Sequence, residues 1–237
     1  MTTDTQLIIP ICLLISTSPI LSGVSWRHCG EQHCLPVVML GRVGDTTDKA
    51  RTRIVRRATE LFRAEGFGAV GVDRISDLAP VSKRTLYQRF PTKDDLIAEY
   101  VRTIGDTNYD SMQDAVDDDA PPAERILQAF IWLQNQTTPS GYRGCPIVNA
   151  VAELPDATHP ARQLALDHKD QVLGFFRDQA ASAGAADPDE LAEQLIMLFD
   201  GASSYSLVRD SRIPPSFLAA AKTLINAQLP PDSQPLK

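Results

Sequence analysis

Residues 54–93 read IVRRATELFRAEGFGAVGVDRISDLAPVSKRTLYQRFPTK, and the spacing within this stretch decides the fold. Ile54, Val55, Ala58, Leu61 and Phe62 recur at helical intervals, while Arg51, Arg53, Arg56, Arg57, Glu60 and Arg63 fall on the remaining surface. This predicts an amphipathic helix that begins at Arg51 and is ended by Gly66. Val70, Val72, Ile75 and Leu78 form a second, shorter apolar stripe, interrupted by Pro80. Ser82 then stands where it can cap a third helix through Leu86 and Phe90. Two short helices joined by a tight turn form a helix-turn-helix.

The third helix has the side-chain chemistry of one that lies in a DNA groove. Leu86 and Phe90, four residues apart, share a core face and leave Lys83, Arg84, Thr85, Tyr87 and Gln88 more exposed. Arginine can pair bidentately with a guanine edge and threonine can meet a thymine methyl. Serine, lysine and tyrosine can hold phosphate oxygens. Taken alone, the same residues are also consistent with the solvated basic face of an ordinary helix.

Charge is distributed in a way that suits DNA docking. The whole chain is acidic, with a formal charge of -7, yet residues 48–93 carry a net +6 and residues 94–237 a net -12. A basic head attracts phosphate, and an acidic body keeps the rest of the molecule off the duplex.

The ordered set Ile54, Ala58, Leu61-Phe62, Gly66-Phe67, Val72, Ile75, Leu78-Ala79-Pro80-Val81-Ser82, Thr85-Leu86-Tyr87, Phe90, Lys93 and Leu96 closely resembles the N-terminal domain of the TetR (tetracycline repressor) family. The likeness spans Arg51 to Leu96, about a fifth of the chain. It implies that Ser82, Lys83, Arg84, Thr85, Tyr87 and Gln88 face DNA, that Lys93 at the start of a fourth helix contacts phosphate, and that Thr46 and Thr47 reach neighbouring phosphates. It also implies a homodimer that reads a palindromic operator, occupies a promoter as a repressor, and responds to a small-molecule effector bound among the later helices. Pro80 departs from the pattern, because the family usually has glycine there. Proline fixes φ near −65° and has no N–H, so a turn that needs φ > 0 would have to be built differently.

Beyond residue 93 the sequence predicts helices at about 93–116, 122–137, 146–154, 160–183, 188–210 and 214–228, with Pro- and Gly-containing breaks between them. No strand pattern competes. The fold class is therefore all-α: a three-helix DNA-binding domain over residues 46–93, then a larger effector-binding and dimerisation domain over 94–237. Gly144 to Leu154 resembles a stretch in one large branch of the family. Trp132, Tyr142, Cys145, Asn149, Phe175, Phe176 and Tyr205 have the composition of an apolar pocket with a few polar anchors, although each taken singly reads first as core. Cys145, followed by a helix start, reads either as a redox switch or as a buried, inert thiol. Leu191, Leu195, Met197, Leu198, Phe199 and Leu207 read either as a dimer interface or as plain core.

Residues 1–45 read as an extension outside the fold, disordered or the product of a start set too far upstream of Met39 or Val43. The apolar run Leu7–Leu14 contains Pro10 and is too short to span a bilayer, and no basic residue precedes it as a secretion signal requires. His28, Cys29, His33 and Cys34 lack a second paired set at zinc-site spacing. Four scattered cysteines fit a reducing cytoplasm. No phosphate loop, nucleophile elbow or His-Glu-x-x-His motif is present, so neither an enzyme nor a cofactor is indicated. The main rival reading is a helical protein-binding adaptor, to which the basic head would be of no use.

Overall fold

The computed structural model describes residues 48–137, 142–230 and 236. Thr46, Thr47, the N-terminal cysteines and the alternative starts lie outside the described residues. Among the described residues all regular structure is helical: α1 (Lys49–Glu65), α2 (Val72–Leu78), α3 (Lys83–Arg89), α4 (Lys93–Gln113), α5 (Pro122–Gln136), α6 (Pro146–Glu153), α7 (Pro160–Ser182), α8 (Pro188–Arg209) and α9 (Ser216–Gln228).

The helix starts follow from local chemistry. Asp48 accepts from the Arg51 N–H and opens α1, and Thr92 and Asp95 cap α4 reciprocally. Pro122, Pro146, Pro160 and Pro188 each occupy the first turn of a helix, where a missing N–H costs no bond. Gly66 ends α1 at φ 81°, a left-handed value that glycine takes without strain. The Glu153 carboxylate also lies 2.9 Å from where a Cβ on Gly66 would stand.

Two apolar cores result. The first joins Ile54, Phe62, Ile75, Leu86 and Phe90 of the head to Leu96, Tyr100 and Ile104 of α4, Ile147 and Ala150 of α6, and Ala161 and Ala165 of α7. It therefore continues past residue 93. Phe62, Phe67 and Tyr100 meet edge to face at its centre, with ring centroids 5.1–5.7 Å apart. The second core is built from α5, α7, α8 and α9 around Phe130, which touches the rings of Phe176, Phe199 and Phe217.

The turn between α2 and α3 corrects the expectation from sequence. Pro80 has φ 23°, so the left-handed bend is kept rather than replaced. The Val81 N–H still donates to the Ser76 carbonyl at 3.4 Å, one of the two bonds that normally close a helix with a left-handed residue after its cap. The companion bond would come from the N–H of residue 80, which proline lacks. The bend is therefore strained and one bond short. Pro80→Gly supplies the missing N–H and a residue at ease with φ > 0, so it should raise the thermal midpoint, and a lower midpoint in the variant would refute this.

α4 and α7 cross where Gly105 meets His168, and a Cβ on Gly105 would lie 3.3 Å from the imidazole. Burial, reinforced by the adjacent Lys169 charge and only partly opposed by Asp200, pushes the His168 imidazole down to about 4. The unfolded chain would take up this proton near the ordinary histidine value of about 6.5. His168 therefore contributes full stability above that value, and the contribution is lost as pH falls toward 4. The loss should reach roughly 3 kcal/mol, read by urea denaturation across this range. His168→Gln should flatten the dependence, and equal slopes in both proteins would sink the assignment.

Candidate nucleic-acid interface

The head presents α3 with its apolar side down and its polar side outward, because Leu86 and Phe90 are buried in the first core. Ser82 is its cap: its hydroxyl accepts from the Thr85 N–H at 3.0 Å and lies 2.8 Å from the Thr85 hydroxyl. The two hydroxyls thus engage each other at the helix start, and Thr85 is half-buried. Arg84 and Gln88 are exposed and make no hydrogen bond or ion pair among the described residues. Tyr87 leaves 47% of its surface exposed, a large aromatic side chain with nothing over it. Lys83 pairs with Asp73 of α2 at 2.8 Å, and hydrogen bonding to that carboxylate, together with its charge, raises the lysine above its ordinary value. Both partners are solvent-exposed, so the pair is loose and can exchange for a phosphate.

Contacts beneath this face fix its orientation. Arg89 Nε sits 2.6 Å from the Asp48 carboxylate, tying the end of α3 to the start of α1. Arg51 Nη1 donates to Glu99 at 2.6 Å, and Arg102 donates to the same carboxylate at 2.7 Å. Burial alone would raise Glu99, but the hydrogen bonds and charges of the two arginines outweigh it and hold the carboxyl below its ordinary value. Lys93 is half-buried and donates to the Phe67 carbonyl at 2.5 Å, leaving two ammonium hydrogens for a further partner.

A family model described as bacterial regulatory proteins, tetR family, matches residues 54–100. The structure of SCO4454, a TetR-family transcriptional regulator from Streptomyces coelicolor, is similar with a TM-score of 0.70 and 30% identity over 76% of this chain and 95% of that one. The sav143 protein of Streptomyces avermitilis is 33% identical, with a TM-score of 0.68 over 76% of this chain and 98% of its own. KstR2 of Mycobacterium tuberculosis, an HTH-type transcriptional repressor, is 28% identical over 92 residues, 39% of this chain and 46% of that protein. The chain belongs to the TetR family. It is a DNA-binding transcriptional regulator of that family, whose work is binding rather than catalysis.

In this TetR-family chain none of the aromatic and polar residues singled out as a pocket lines the cavity between α6, α7 and α8. Phe175 and Phe176 are buried in the second core. Trp132 stacks on Phe199, and its ring N–H donates to Ser111 at 3.0 Å. Tyr142 is raised by burial, an effect that its hydrogen bond with Ser203 partly offsets. Cys145 is a free, half-buried thiol at the start of α6, 3.9 Å from Lys169 Nζ. Asn149 donates to the Arg143 carbonyl at 2.5 Å, and Tyr205 is exposed beneath the Arg209 guanidinium.

Sequence reasoning missed Glu153 and Arg143. The Glu153 carboxylate accepts from the Phe67 N–H at 2.6 Å, and Arg143 Nη1 donates to the Ala64 carbonyl. Both grip the end of α1 from about eighty residues away, so no local signal could reveal them. Among the described residues no group of three or more metal-ligating side chains is present, and no helix is long and apolar enough to cross a membrane.

The exposed face of α3 predicts a division of labour. Tyr87→Ala and Lys93→Ala should weaken binding to every DNA sequence, whereas Arg84→Ala should chiefly relax base choice, by about 1–3 kcal/mol at one position. Anisotropy titrations against operator and scrambled duplexes separate the two, and a Lys93→Ala variant that changed sequence preference alone would overturn the assignment.

Proposed function

We propose that this TetR-family regulator is a cytoplasmic, ligand-responsive repressor that binds a palindromic operator as a homodimer. In this reading residues 46–93 form the DNA-reading domain and residues 94–237 the effector-binding and dimerisation domain. The observation that carries it is the pairing of an exposed α3 with an exposed apolar stripe on α8. Leu191, Leu195 and Phe199 of α8 face the second core. Met197 and Val208 point away, 66% and 83% exposed, with Gly201 and Tyr205 between them on the same face. Apolar side chains left out on a long helix seek a partner, and a two-fold partner supplies the same stripe. A dimer places two copies of α3 where two half-sites can be read together. The similarity to KstR2, named a repressor, favours repression over activation.

The experiment is a fluorescence-anisotropy titration against DNA from the region upstream of the gene, at two salt concentrations, alongside sedimentation. Tight, competitor-resistant binding that weakens steeply with salt is the expected result. Met197→Glu with Val208→Glu should yield a folded monomer whose operator affinity falls by at least about 100-fold, because one head then binds without the other. Weak, salt-insensitive DNA binding would instead fit a helical adaptor.

A further inference from the structure

Lys83 differs from the other polar residues of the α3 face in already having a carboxylate. It is the first residue of α3, and Asp73 lies in the first turn of α2. Their contact, Nζ to Oδ2 at 2.8 Å, therefore bridges the two arms of the helix-turn-helix. A second carboxylate of α2, Asp77, makes no hydrogen bond or ion pair among the described residues, but its charge also acts on Lys83. Arg74, the remaining charged residue of α2, is turned toward Glu65 of α1, and Arg89 at the far end of α3 is drawn to Asp48.

The charge balance at this corner runs against the rest of the head. Residues 48–93 carry a net +6, yet here one cation faces two carboxylates. The Lys83 and Asp73 side chains are 59% and 68% exposed, so the pair stands in water and is held weakly. A phosphate offers the ammonium the same charged oxygens that Asp73 does. Binding to duplex DNA draws on the counterions released from each phosphate that a protein cation neutralises. A cation that keeps an anion beside it brings no net charge to that phosphate.

We infer that Asp73 is a phosphate mimic that occupies Lys83 in the free regulator and thereby holds down its affinity for duplex DNA of any sequence. DNA must displace the carboxylate to gain the ammonium, and the displaced carboxylate stays close by and repels the incoming phosphate. Arg84 and Gln88, which have no such partners, meet DNA without an exchange. This inference rests on the regulator reading, in which α3 faces DNA, and gives a residue outside the DNA-facing set a part in that site. A carboxylate that merely braced α2 against α3 would act in the opposite direction, because its loss would loosen the reading helix and weaken binding.

Asp73→Asn and Asp77→Asn, both at exposed positions that spare the fold, test this in the full chain. Each is titrated by fluorescence anisotropy against a duplex from upstream of the gene and a scrambled duplex, at about 50 and about 200 mM salt. Asp73→Asn should bind both duplexes more tightly. Its loss of affinity between the two salt concentrations should exceed that of the unchanged protein by about 3.5-fold, the contribution of one further neutralised phosphate. Asp77→Asn removes the same charge from the same helix without releasing Lys83, so its effect should be smaller on both counts. In a Lys83→Ala background the effect of Asp73→Asn should shrink to that of Asp77→Asn. Equal effects of the two substitutions, an Asp73→Asn effect that survives intact in the Lys83→Ala background, or weaker binding by Asp73→Asn would each overturn the inference. A wild-type chain that bound neither duplex at either salt concentration would overturn the regulator reading, and this inference with it.

Discussion

The peptide at Phe67 is held from both sides. Its N–H is taken by Glu153 of α6 and its carbonyl by Lys93 of α4, while its ring lies against Phe62 and Tyr100. A loop residue just past the end of a helix has backbone groups that need partners, and here Glu153 and Lys93 provide them. α2 and α3 follow this point in the chain, which is held by one charged side chain from α6 and one from the start of α4. The Glu99 carboxylate does similar work on the other flank, gripping Arg51 of α1 and Arg102 of α4 at once. Hydrogen bonds to charged groups contribute about 1.5–3 kcal/mol each, enough to hold a short head in one orientation and few enough to be released together.

Lys93 stands at a crossing of roles. The family resemblance makes it a phosphate contact, and the structure shows it bonded to the Phe67 carbonyl. The two are compatible, since an ammonium has three donors and a carbonyl uses one. Under the proposed DNA-binding role, a phosphate that drew on Lys93 would act on the same residue that Glu153 grips from α6.

The helices were legible because their ends are written locally. Prolines at first turns, an Asp48 cap, the Thr92 and Asp95 pair and Gly66 each satisfy a helix terminus with nearby residues, so the spans read from sequence fall close to those observed. Burial within a helix was less legible. Apolar side chains lie on most sides of α8, and periodicity could not tell Leu195, which is core, from Met197, which faces out. The cavity was not legible at all. Lys169 and Asp200 come together across thirty-one positions, and the aromatic residues that looked like a pocket pack against one another because Phe130 draws Phe176 and Phe199 into a single cluster.

The one place where a local rule was broken is informative for the same reason. A proline after the end of α2 should have forbidden the left-handed bend, yet the bend survives because both of its arms are pinned. Ser76, Ile75 and Ala79 are buried on one side, and Leu86 and Phe90 are buried on the other. Packing of these residues fixes where α2 ends and where α3 must start, which leaves the intervening backbone little freedom. Strain at such a position marks an element whose geometry is set by its surroundings rather than by its own preference. The strained residue sits at the elbow that sets the direction of α3, and with it the exposed side chains of Arg84, Tyr87 and Gln88.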